Sequence, residues 1–395
     1  MTMLEERKSA WYVGNFVLPD KNAASIRALS NAKLFNSIGL NCQVVSTSVD
    51  MDQNFDQVEG IQCWTFESFR STFLRLFSKI SNIQTLRFLF STTSKNDLLI
   101  LYNPSCWLIL IVYILTKIRK CNLILDLTEY DNVVGLTGLW KWIKRFDTFV
   151  RMECSWRLAD GMITTSAFLT QKYKNHGSQV IELPTLQDDS KFAPPCMSDD
   201  HCTRLMYSGN PFVVERKRVK ERLDLLILGL SLRDQASFSL DIFGTTSDDY
   251  LAMYPDHKSL LDRMYGRVKF HGFVSNNKVK AYLKKTDFQV FFRDITIANR
   301  AGFPTKLSES ISAGVPAITT ELDGILRYLD APFIFACRPG YENNILDYCL
   351  NLSRKEKNEL KDAAYISKLF HFASYEECAL EFLKKLGFGA SHEHF

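Results

Sequence analysis

The stretch of residues 299–320, NRAGFPTKLSESISAGVPAITT, contains the side chains best suited to chemistry in this sequence. Pro304 and Thr305 are typical of a helix start, as a first-turn proline and a capping hydroxyl, and Gly314 is typical of its end. The free amide groups and the positive dipole end of such a helix stabilise an anion such as a phosphate. Gly302 allows the backbone to approach that anion closely because glycine has no Cβ.

A carboxylate follows on the same predicted helix. Glu309 comes three and four residues after Lys306 and Thr305, so these side chains share one face, while Leu307 and Ile311 share the other. Each carboxylate oxygen can accept a hydrogen bond from one hydroxyl of a diol, so Glu309 is a candidate for binding a diol beside a phosphate. An exposed ion pair between Glu309 and Lys306 is the alternative.

The elements that must position these residues alternate between strands and helices. WYVGNFVLP, NAASIRALSNAKLFNSIG and CQVVST form a strand–helix–strand unit, and similar units recur at 98–126 and 161–183. A proline-rich segment at 184–204 interrupts the alternation, which then resumes up to the opening stretch. The pattern predicts an α/β fold with two doubly wound sheets, which bind ligands beyond the carboxyl ends of their strands.

Composition and charge narrow the class of protein. The 395 residues are 46% hydrophobic and 23% charged, which is typical of a globular chain long enough for two domains. The net charge of +4 is too small to predict nucleic-acid binding. The start, MTMLEERKSA, lacks the apolar core of a secretory signal, so we expect a cytoplasmic protein.

Motifs for cofactors and metals are missing from the sequence. Neither GxGxxG nor GxxxxGK[ST] occurs, and the ten cysteines include no CxxC pair. Asp50 and Asp52 have DxD spacing but no other feature of a metal site. We therefore expect no metal and no bound cofactor.

A basic amphipathic helix is predicted at residues 139–152, LWKWIKRFDTFVRM. Its apolar residues at helical spacing are Leu139, Trp142, Ile143, Phe146, Phe149 and Val150, and its basic residues are Lys141, Lys144, Arg145 and Arg151. This pattern predicts peripheral attachment to an anionic membrane, with an ordinary packed helix as the alternative. Asn103 and Pro104 interrupt the most apolar stretch, LLILYNPSCWLILIVYILTKIRK, which predicts a buried strand and a packed helix there.

Most of the chain resembles the retaining GT-B glycosyltransferases of family 4, also described as glycosyl transferases group 1. GFPTKLSESISAGVPAITT is similar to the nucleotide-sugar loop of that family, and VKFHGFVSNNKVKAYLKKTDFQVFF is similar to the segment before it. The resemblance implies two Rossmann-like domains facing across a cleft. Their expected boundaries are 1–185 for the acceptor-binding domain, 186–203 for the linker, 204–370 for the nucleotide-sugar-binding domain and 371–395 for a helix crossing back and the tail.

The resemblance also implies roles in donor binding. Glu309 is similar to the glutamate that holds the ribose hydroxyls, and Gly302 and Phe303 are similar to the loop whose amides meet the diphosphate or the sugar. The other residues placed in this site are Gly209 of YSGNP, Pro304, Thr305 and Lys306. The family has a second glutamate eight residues before Glu309, where this chain has Ala301.

A nucleoside diphosphate leaving group requires positive charge near the departing oxygens. Because no metal is expected, basic side chains should supply this charge. The candidate basic residues are Arg216, Lys217, Lys220 and Arg222 in NPFVVERKRVKER and Arg293 and Arg300 in the later loop. We predict that Lys220, Arg293 and Arg300, followed by Arg216, bind the donor, with Lys220 and Arg293 acting in catalysis.

Acceptor-side residues are expected in the first domain. GNFVLPDKNAAS resembles the first glycine loop of the family, with Gly14 near the cleft and Asn22 or Ala23 touching the acceptor or the donor. LDLTEYD carries Glu129 and Asp131 at a strand end, where relatives place an acceptor-side acid, base or histidine. Glu129 is the candidate for acceptor recognition or proton transfer, with a structural carboxylate as the alternative.

Together these patterns predict a cytoplasmic, metal-independent, retaining glycosyltransferase. Its partners would be a nucleotide sugar and a glycan or lipid-linked acceptor. A catalytically silent GT-B subunit that binds a glycan or a protein is the first alternative, which Ala301 favours. A nucleotide-sugar epimerase of the same fold is the second, and it would convert the donor without an acceptor.

Overall fold

The computed structural model describes residues 8–19, 22–48, 56–66, 82–130, 138–213, 218–233 and 237–388. The chain divides into two compact units. The first unit comprises Met1–Gln187, Ala301–Phe303 and Phe372–Phe395, and the second comprises Asp188–Arg300 and Pro304–His371. Most of the proline-rich segment at 186–203 therefore belongs to the second unit.

The first unit contains an eight-stranded sheet. Its strands are β1 Ser9–Gly14, β2 Asn41–Ser46, β3 Gln57–Val58, β4 Ile61–Trp64, β5 Leu98–Tyr102, β6 Asn122–Leu127, β7 Gly161–Thr164 and β8 Val180–Glu182. They lie in the order β3-β4-β2-β1-β5-β6-β7-β8, and all neighbours are parallel except β3 and β4. Strand β5 is an apolar run buried on both faces, as a parallel sheet covered by helices requires.

Helices follow the strands of this sheet. They are α1 Ala23–Ser37, α2 Ile83–Thr92, α3 Cys106–Arg119, α4 Gly138–Phe149 and α5 Ala167–Asn175. The apolar stretch that begins at Leu98 thus forms a buried strand and a helix, as predicted. Among the described ranges, no helix is long and apolar enough to cross a membrane.

The basic amphipathic helix is shorter than its sequence pattern indicates. Helix α4 ends at Phe149, and a π-helical turn, Val150–Cys154, follows it. Arg151, which was expected to face lipid, is only 3% exposed, so that assignment is wrong. The change from α-helical to π-helical turns redirects the residues after Phe149, and the 3.6-residue period no longer predicts which face they occupy.

The second unit contains a six-stranded sheet and a hairpin. Its strands are β9 Thr203–Ser208, β10 Phe212–Val213, β11 Arg218–Val219, β12 Phe238–Phe243, β13 Val268–Phe270, β14 Phe288–Phe291, β15 Ala317–Thr320 and β16 Ile334–Cys337. The sheet has the order β13-β12-β9-β14-β15-β16 and is parallel throughout, while β10 and β11 form the antiparallel hairpin. Two parallel sheets with flanking helices confirm the predicted α/β class.

The helices of the second unit lie between its strands and after them. They are α6 Leu223–Ser231, α7 Ser247–Met253, α8 Lys258–Arg263, α9 Asn276–Leu283, α10 Ile297–Ala301, α11 Thr305–Ser312, α12 Glu342–Asn351 and α13 Arg354–Ser367. The last helix, α14 Glu376–Lys385, belongs to the first unit. There Phe382 and Leu386 pack so closely on Gly161 that a Cβ at that position would lie 2.9 Å from each.

Candidate functional site

The carboxyl ends of the parallel strands in the second unit meet at one edge of its sheet. Gly209 directly follows β9, Gly244 directly follows β12, and Arg293 comes two residues after β14. This is the edge at which open α/β sheets bind ligands. This edge is therefore the candidate ligand-binding region of the second unit.

Two glycines at this edge allow close approach of other groups. Gly209 has φ +122° and Gly244 has φ +88°, which L-residues with a Cβ rarely adopt. A Cβ on Gly244 would lie 2.7 Å from the carbonyl carbon of Gly209, and a Cβ on Gly209 would lie 2.7 Å from Cε of Lys306. Because Gly209 has no side chain, the Lys306 side chain can lie against the backbone at the end of β9.

Lys306 belongs to a buried ionic cluster centred on Glu221, whose side chain is 1% exposed. Arg293 donates to Glu221 Oε1 from Nη2 at 2.6 Å and from Nε at 3.0 Å. Lys306 Nζ and the Tyr207 hydroxyl both donate to the other oxygen, Oε2. Two cations and one carboxylate give this Glu221 cluster a net charge of +1, because the Tyr207 phenol is neutral.

Burial and ion pairing have opposite effects on the pKa values of Glu221 and Lys306. Burial alone would raise the pKa of Glu221, but the ammonium of Lys306 and the guanidinium of Arg293 hold it well below its usual range. Burial lowers the pKa of Lys306 to about 8, with Glu221 opposing the decrease and Arg293 adding to it. Burial and the Glu221 carboxylate raise the pKa of Tyr207 well above its usual value, so the phenol stays protonated.

Helix α11 presents Lys306 and Glu309 from its first turns. Leu307 and Ile311 are buried on its packed face, as their spacing predicts. The helix begins at Thr305 itself, with Pro304 as the preceding residue and no side-chain hydrogen bond at the cap. The predictions of a first-turn proline at Pro304 and of a capping hydroxyl from Thr305 are therefore both wrong, because Pro304 still has extended geometry and Thr305 is already helical.

Glu309 is half-buried on the same helix. The side chain of Lys306 is only 14% exposed and pairs with Glu221, so Lys306 is not the solvated partner that the exposed-pair alternative requires. The Gly314 that ends the helix has φ +72°, which is typical of a glycine just beyond a helix end. In the preceding loop Gly302 is half-buried, and Ala301 and Phe303 are buried at 0% and 8% exposure.

The other basic residues predicted for donor binding differ in their surroundings. Arg300 makes a two-point ion pair with Asp323 at 2.9 and 3.1 Å, and these hydrogen bonds raise its pKa. Lys220 is exposed beside the β10–β11 hairpin, and its backbone N–H donates to the Pro211 carbonyl at 2.7 Å. Arg216 and Lys217 lie outside the described residues.

The acceptor-side residues lie in the first unit, at the ends of its strands. Gly14 ends β1, where a Cβ would lie 2.6 Å from Cζ of Phe16. Asn22 caps helix α1, since its Oδ1 accepts from the Ser25 N–H at 2.8 Å and the Ser25 hydroxyl at 2.6 Å. Glu129 is exposed two residues after β6. The structure thus gives Gly14 and Asn22 local structural roles and leaves the carboxylate of Glu129 facing solvent.

Beneath these residues the first unit contains a second buried ion pair. Arg27 Nη2 lies 2.8 Å from Asp126 Oδ1, with the two side chains 2% and 0% exposed. Arg27 Nη1 donates to the carbonyls of Leu183 and Pro184 at 2.9 and 2.8 Å. This pair joins α1, β6 and the segment after β8, so it supports the strand end that precedes Glu129.

Sequence reasoning missed Glu221 and Tyr207 as parts of the site. Glu221 lies in the basic run ERKRVKER, where only the cations were considered. Glu221 lies two residues before the apolar helix LDLLILGL, and an acid at that place was the available signal. Among the described residues, no group of three His, Cys, Asp or Glu side chains could hold a metal ion, and Asp50, Asp52 and Asp131 lie outside that part of the chain.

Comparison with known proteins agrees with the two-sheet architecture. Residues 204–349 match the family described as Glycosyl transferases group 1. Similar solved structures are a glycosyltransferase from Rickettsia africae, with 13% identity and a TM-score of 0.67, and Anabaena Alr3699/HepE in complex with UDP and glucose, with 12% identity and a TM-score of 0.65. These matches cover 98% and 96% of this chain and 100% of each relative.

The apo lipopolysaccharide outer core galactosyltransferase WaaB is also similar, with 16% identity, a TM-score of 0.58, and coverage of 94% of this chain and 99% of its own. None of the curated proteins matches this sequence. At such identities the solved structures establish the fold. The chain has the GT-B fold, and the match to Glycosyl transferases group 1 is confined to residues 204–349.

Proposed function

We propose that this protein is a glycosyltransferase that transfers a sugar from a nucleoside diphosphate donor to a hydroxyl of a glycan or lipid-linked glycan, with retention of the anomeric configuration. The observation that carries the proposal is the Glu221 cluster at the carboxyl edge of the second sheet. It holds two cations in fixed positions at the start of α11, the helix that also carries Glu309.

In this proposal Lys306 and Arg293 bind the diphosphate. As the bond between C1 of the sugar and the phosphate oxygen breaks, its electron pair leaves with the nucleoside diphosphate. Cations already oriented by Glu221 need no reorganisation to stabilise that charge. The net charge of +1 in the cluster suits an anion, and Gly209, which has no Cβ, leaves room for the Lys306 side chain at the end of β9.

Glu309 is proposed to bind the ribose of the donor. Its position three residues after Lys306 places it one turn along α11. A carboxylate there can accept hydrogen bonds from the 2′ and 3′ hydroxyls of a nucleoside whose diphosphate lies at the helix start. Gly302 and Phe303 would contribute backbone amides, and Lys220, Arg300 and Arg216 remain further candidates for the phosphates.

Glu129 is proposed to act on the acceptor from the first unit. Its carboxylate is exposed just beyond the carboxyl end of β6, where it can accept a hydrogen bond from an acceptor hydroxyl. The hydroxyl oxygen forms the new bond to C1, and its proton must leave in the same step. Glu129 can orient that hydroxyl or receive the proton, while Gly14 and Asn22 shape the loop beside it.

One observation favours a second candidate function. Position 301, which corresponds to a glutamate in the related motif, is an alanine buried at 0% exposure. A GT-B chain without that carboxylate could bind a nucleotide or a glycan without transferring a sugar. The silent-subunit alternative therefore predicts donor binding, or glycan binding, with no turnover.

The proposal is tested by incubating the full chain with a panel of nucleotide sugars that includes UDP-glucose and ADP-glucose. We expect slow donor hydrolysis with at least one donor, at the same rate with and without EDTA. Lys306→Met should reduce this hydrolysis, and Lys355→Met, which removes an exposed lysine of α13, is the matched control. Hydrolysis of no donor, together with measurable nucleotide binding, would favour the silent subunit. Conversion of the donor sugar without hydrolysis would favour the epimerase.

A further inference from the structure

Helix α3 of the first unit exposes an apolar stripe that its packing leaves uncovered. The four residues of the stripe follow one another at spacings of three, four and four, which places them on one face. They are Trp107, Leu110, Ile114 and Ile118, with exposures of 55%, 44%, 55% and 64%. The opposite face carries the residues that pack on the sheet, including Leu108, Val112 and Leu115.

Helix α4 exposes a second apolar stripe. Its large apolar side chains Leu139, Trp142, Ile143, Phe146 and Phe149 are 74%, 66%, 47%, 64% and 57% exposed. Single exposed apolar residues are ordinary, but nine large ones on two helices are far more than a monomeric soluble surface usually displays.

The two helices are neighbours. The backbone N–H of Cys106, the first residue of α3, donates to Asp147 Oδ1 near the end of α4 at 2.7 Å. This hydrogen bond caps α3 and places Trp107 beside the last turn of α4. We call the nine exposed apolar residues and the cations of these two helices the α3–α4 surface.

The charge of the α3–α4 surface is mostly positive, although Lys144 Nζ lies 3.9 Å from Oδ2 of Asp147. Helix α3 contributes Lys117 and Arg119, and α4 contributes Lys141, Lys144 and Arg145. The single acid in the two helices is Asp147, whose side chain is 14% exposed and accepts the N–H of Cys106. Five cations less one acid give +4 over 26 residues, as large as the surplus of 48 basic over 44 acidic residues in the entire chain.

We propose that the α3–α4 surface binds the face of an anionic lipid bilayer, with both helices lying on the membrane. Apolar side chains enter the boundary between headgroups and acyl chains, and the lysines and arginines pair with the lipid phosphates. The mixture of aromatic, aliphatic and basic residues matches that boundary, whereas interfaces between proteins are depleted of lysine, which this surface carries at Lys117, Lys141 and Lys144. The proposal concerns the first unit and does not depend on the donor-binding residues of the second.

Vesicle sedimentation tests the proposal. The full chain should pellet with vesicles of phosphatidylcholine and phosphatidylglycerol at low salt, less at high salt, and little with phosphatidylcholine alone. The double variant Trp107→Gln/Ile114→Gln should weaken the partition coefficient about 10-fold. Lys117→Gln should weaken it about 5-fold at low salt. The control Leu232→Gln/Ile366→Gln removes two residues of the second unit that are 73% and 72% exposed, and it should pellet like the parent.

Three outcomes would overturn the proposal. The first is no pelleting of the parent at low salt. The second is that Trp142→Gln/Phe146→Gln no longer pellets while the α3 variant pellets like the parent, because then α4 alone would bind lipid. The third is a dimer in sedimentation velocity that the same substitutions dissociate, with no vesicle binding, because then a second copy covers the surface. Donor hydrolysis in the α3 variant should equal that of the parent, so failure of this proposal can be distinguished from failure of the proposed activity.

Discussion

Replacing Glu221 with glutamine should leave Lys306 mostly deprotonated at neutral pH. Glu221 favours the protonated form of Lys306, whereas burial and Arg293 disfavour it, and the pKa of Lys306 in the intact cluster is about 8. Two unit charges about 4 Å apart at an effective dielectric constant of about 20 attract by about 4 kcal/mol, which is about three pKa units. In Glu221→Gln we therefore expect the pKa of Lys306 to fall well below 7, because burial and Arg293 then act without opposition.

The consequence is a change in nucleotide binding that depends on pH. In the parent, affinity for a nucleoside diphosphate should be greatest below about pH 8 and fall as pH rises through the pKa of Lys306. In Glu221→Gln the same decrease should occur at a lower pH, so Lys306 would be mostly neutral at pH 7. Loss of a charge-assisted hydrogen bond costs about 1.5 to 3 kcal/mol, which should weaken affinity about 10- to 150-fold at pH 7.

Calorimetric titration with UDP and ADP between pH 5 and 9 would measure this change. Asp224→Asn is the matched control, because it removes a carboxylate 5% exposed that pairs with Arg222 at 2.8 Å rather than with Lys306. In Asp224→Asn the decrease in nucleotide affinity near pH 8 should remain. In Lys306→Met that decrease should disappear. Near-ultraviolet circular dichroism checks that each variant folds, since buried cations without a counter-ion are destabilising. Tighter binding by Glu221→Gln at pH 7 would refute the reasoning, because Glu221 would then merely repel the diphosphate.

Two further predictions concern backbone positions. Gly209→Ala adds a Cβ 2.7 Å from Lys306 Cε at φ +122°, so nucleotide affinity should fall. The control Gly266→Ala, at φ +84° with nothing within 4 Å of the added Cβ, should retain the affinity of the parent. Equal affinities of the two variants would contradict the proposed role of Gly209. Asn22→Ala removes the cap of α1 and should lower the free energy of unfolding by about 1 kcal/mol in urea denaturation, with UDP affinity unchanged; unchanged stability would contradict the capping role.

The fold could be predicted from the sequence because it depends on local patterns. Short apolar runs such as LLILY and NLILDL are typical of strands of a sheet covered on both faces, and the glycines and prolines between elements mark where each ends. The packed face of α11, with Leu307 and Ile311, followed from helical spacing alone. The residue that caps α11 could not be predicted in this way, because a shift of one residue at a helix start changes which residue has non-helical geometry.

The Glu221 cluster could not be predicted because its members are distant in sequence. Glu221 is 14 residues from Tyr207, 72 from Arg293 and 85 from Lys306. The parallel pairing of β9 and β14 brings Tyr207 near the strand that precedes Arg293, and the Arg222 N–H, which donates to the Phe292 carbonyl at 2.8 Å, holds the Glu221 segment there. The apolar stripe of α3 was missed for a related reason. Its sequence is apolar on every side, so exposure of one face depends on which elements happen to cover it.

The central claim is that the start of α11 binds the diphosphate and ribose of a nucleotide. Calorimetric titration of the parent and Glu309→Gln with UDP and with 2′,3′-dideoxy-UDP tests it most directly. If Glu309 holds the ribose hydroxyls, the substitution should weaken UDP binding about 10- to 150-fold, and both proteins should bind the dideoxy compound about equally weakly. If both proteins bind UDP equally well, Glu309 does not contact the ribose, and the donor site proposed at this helix is wrong.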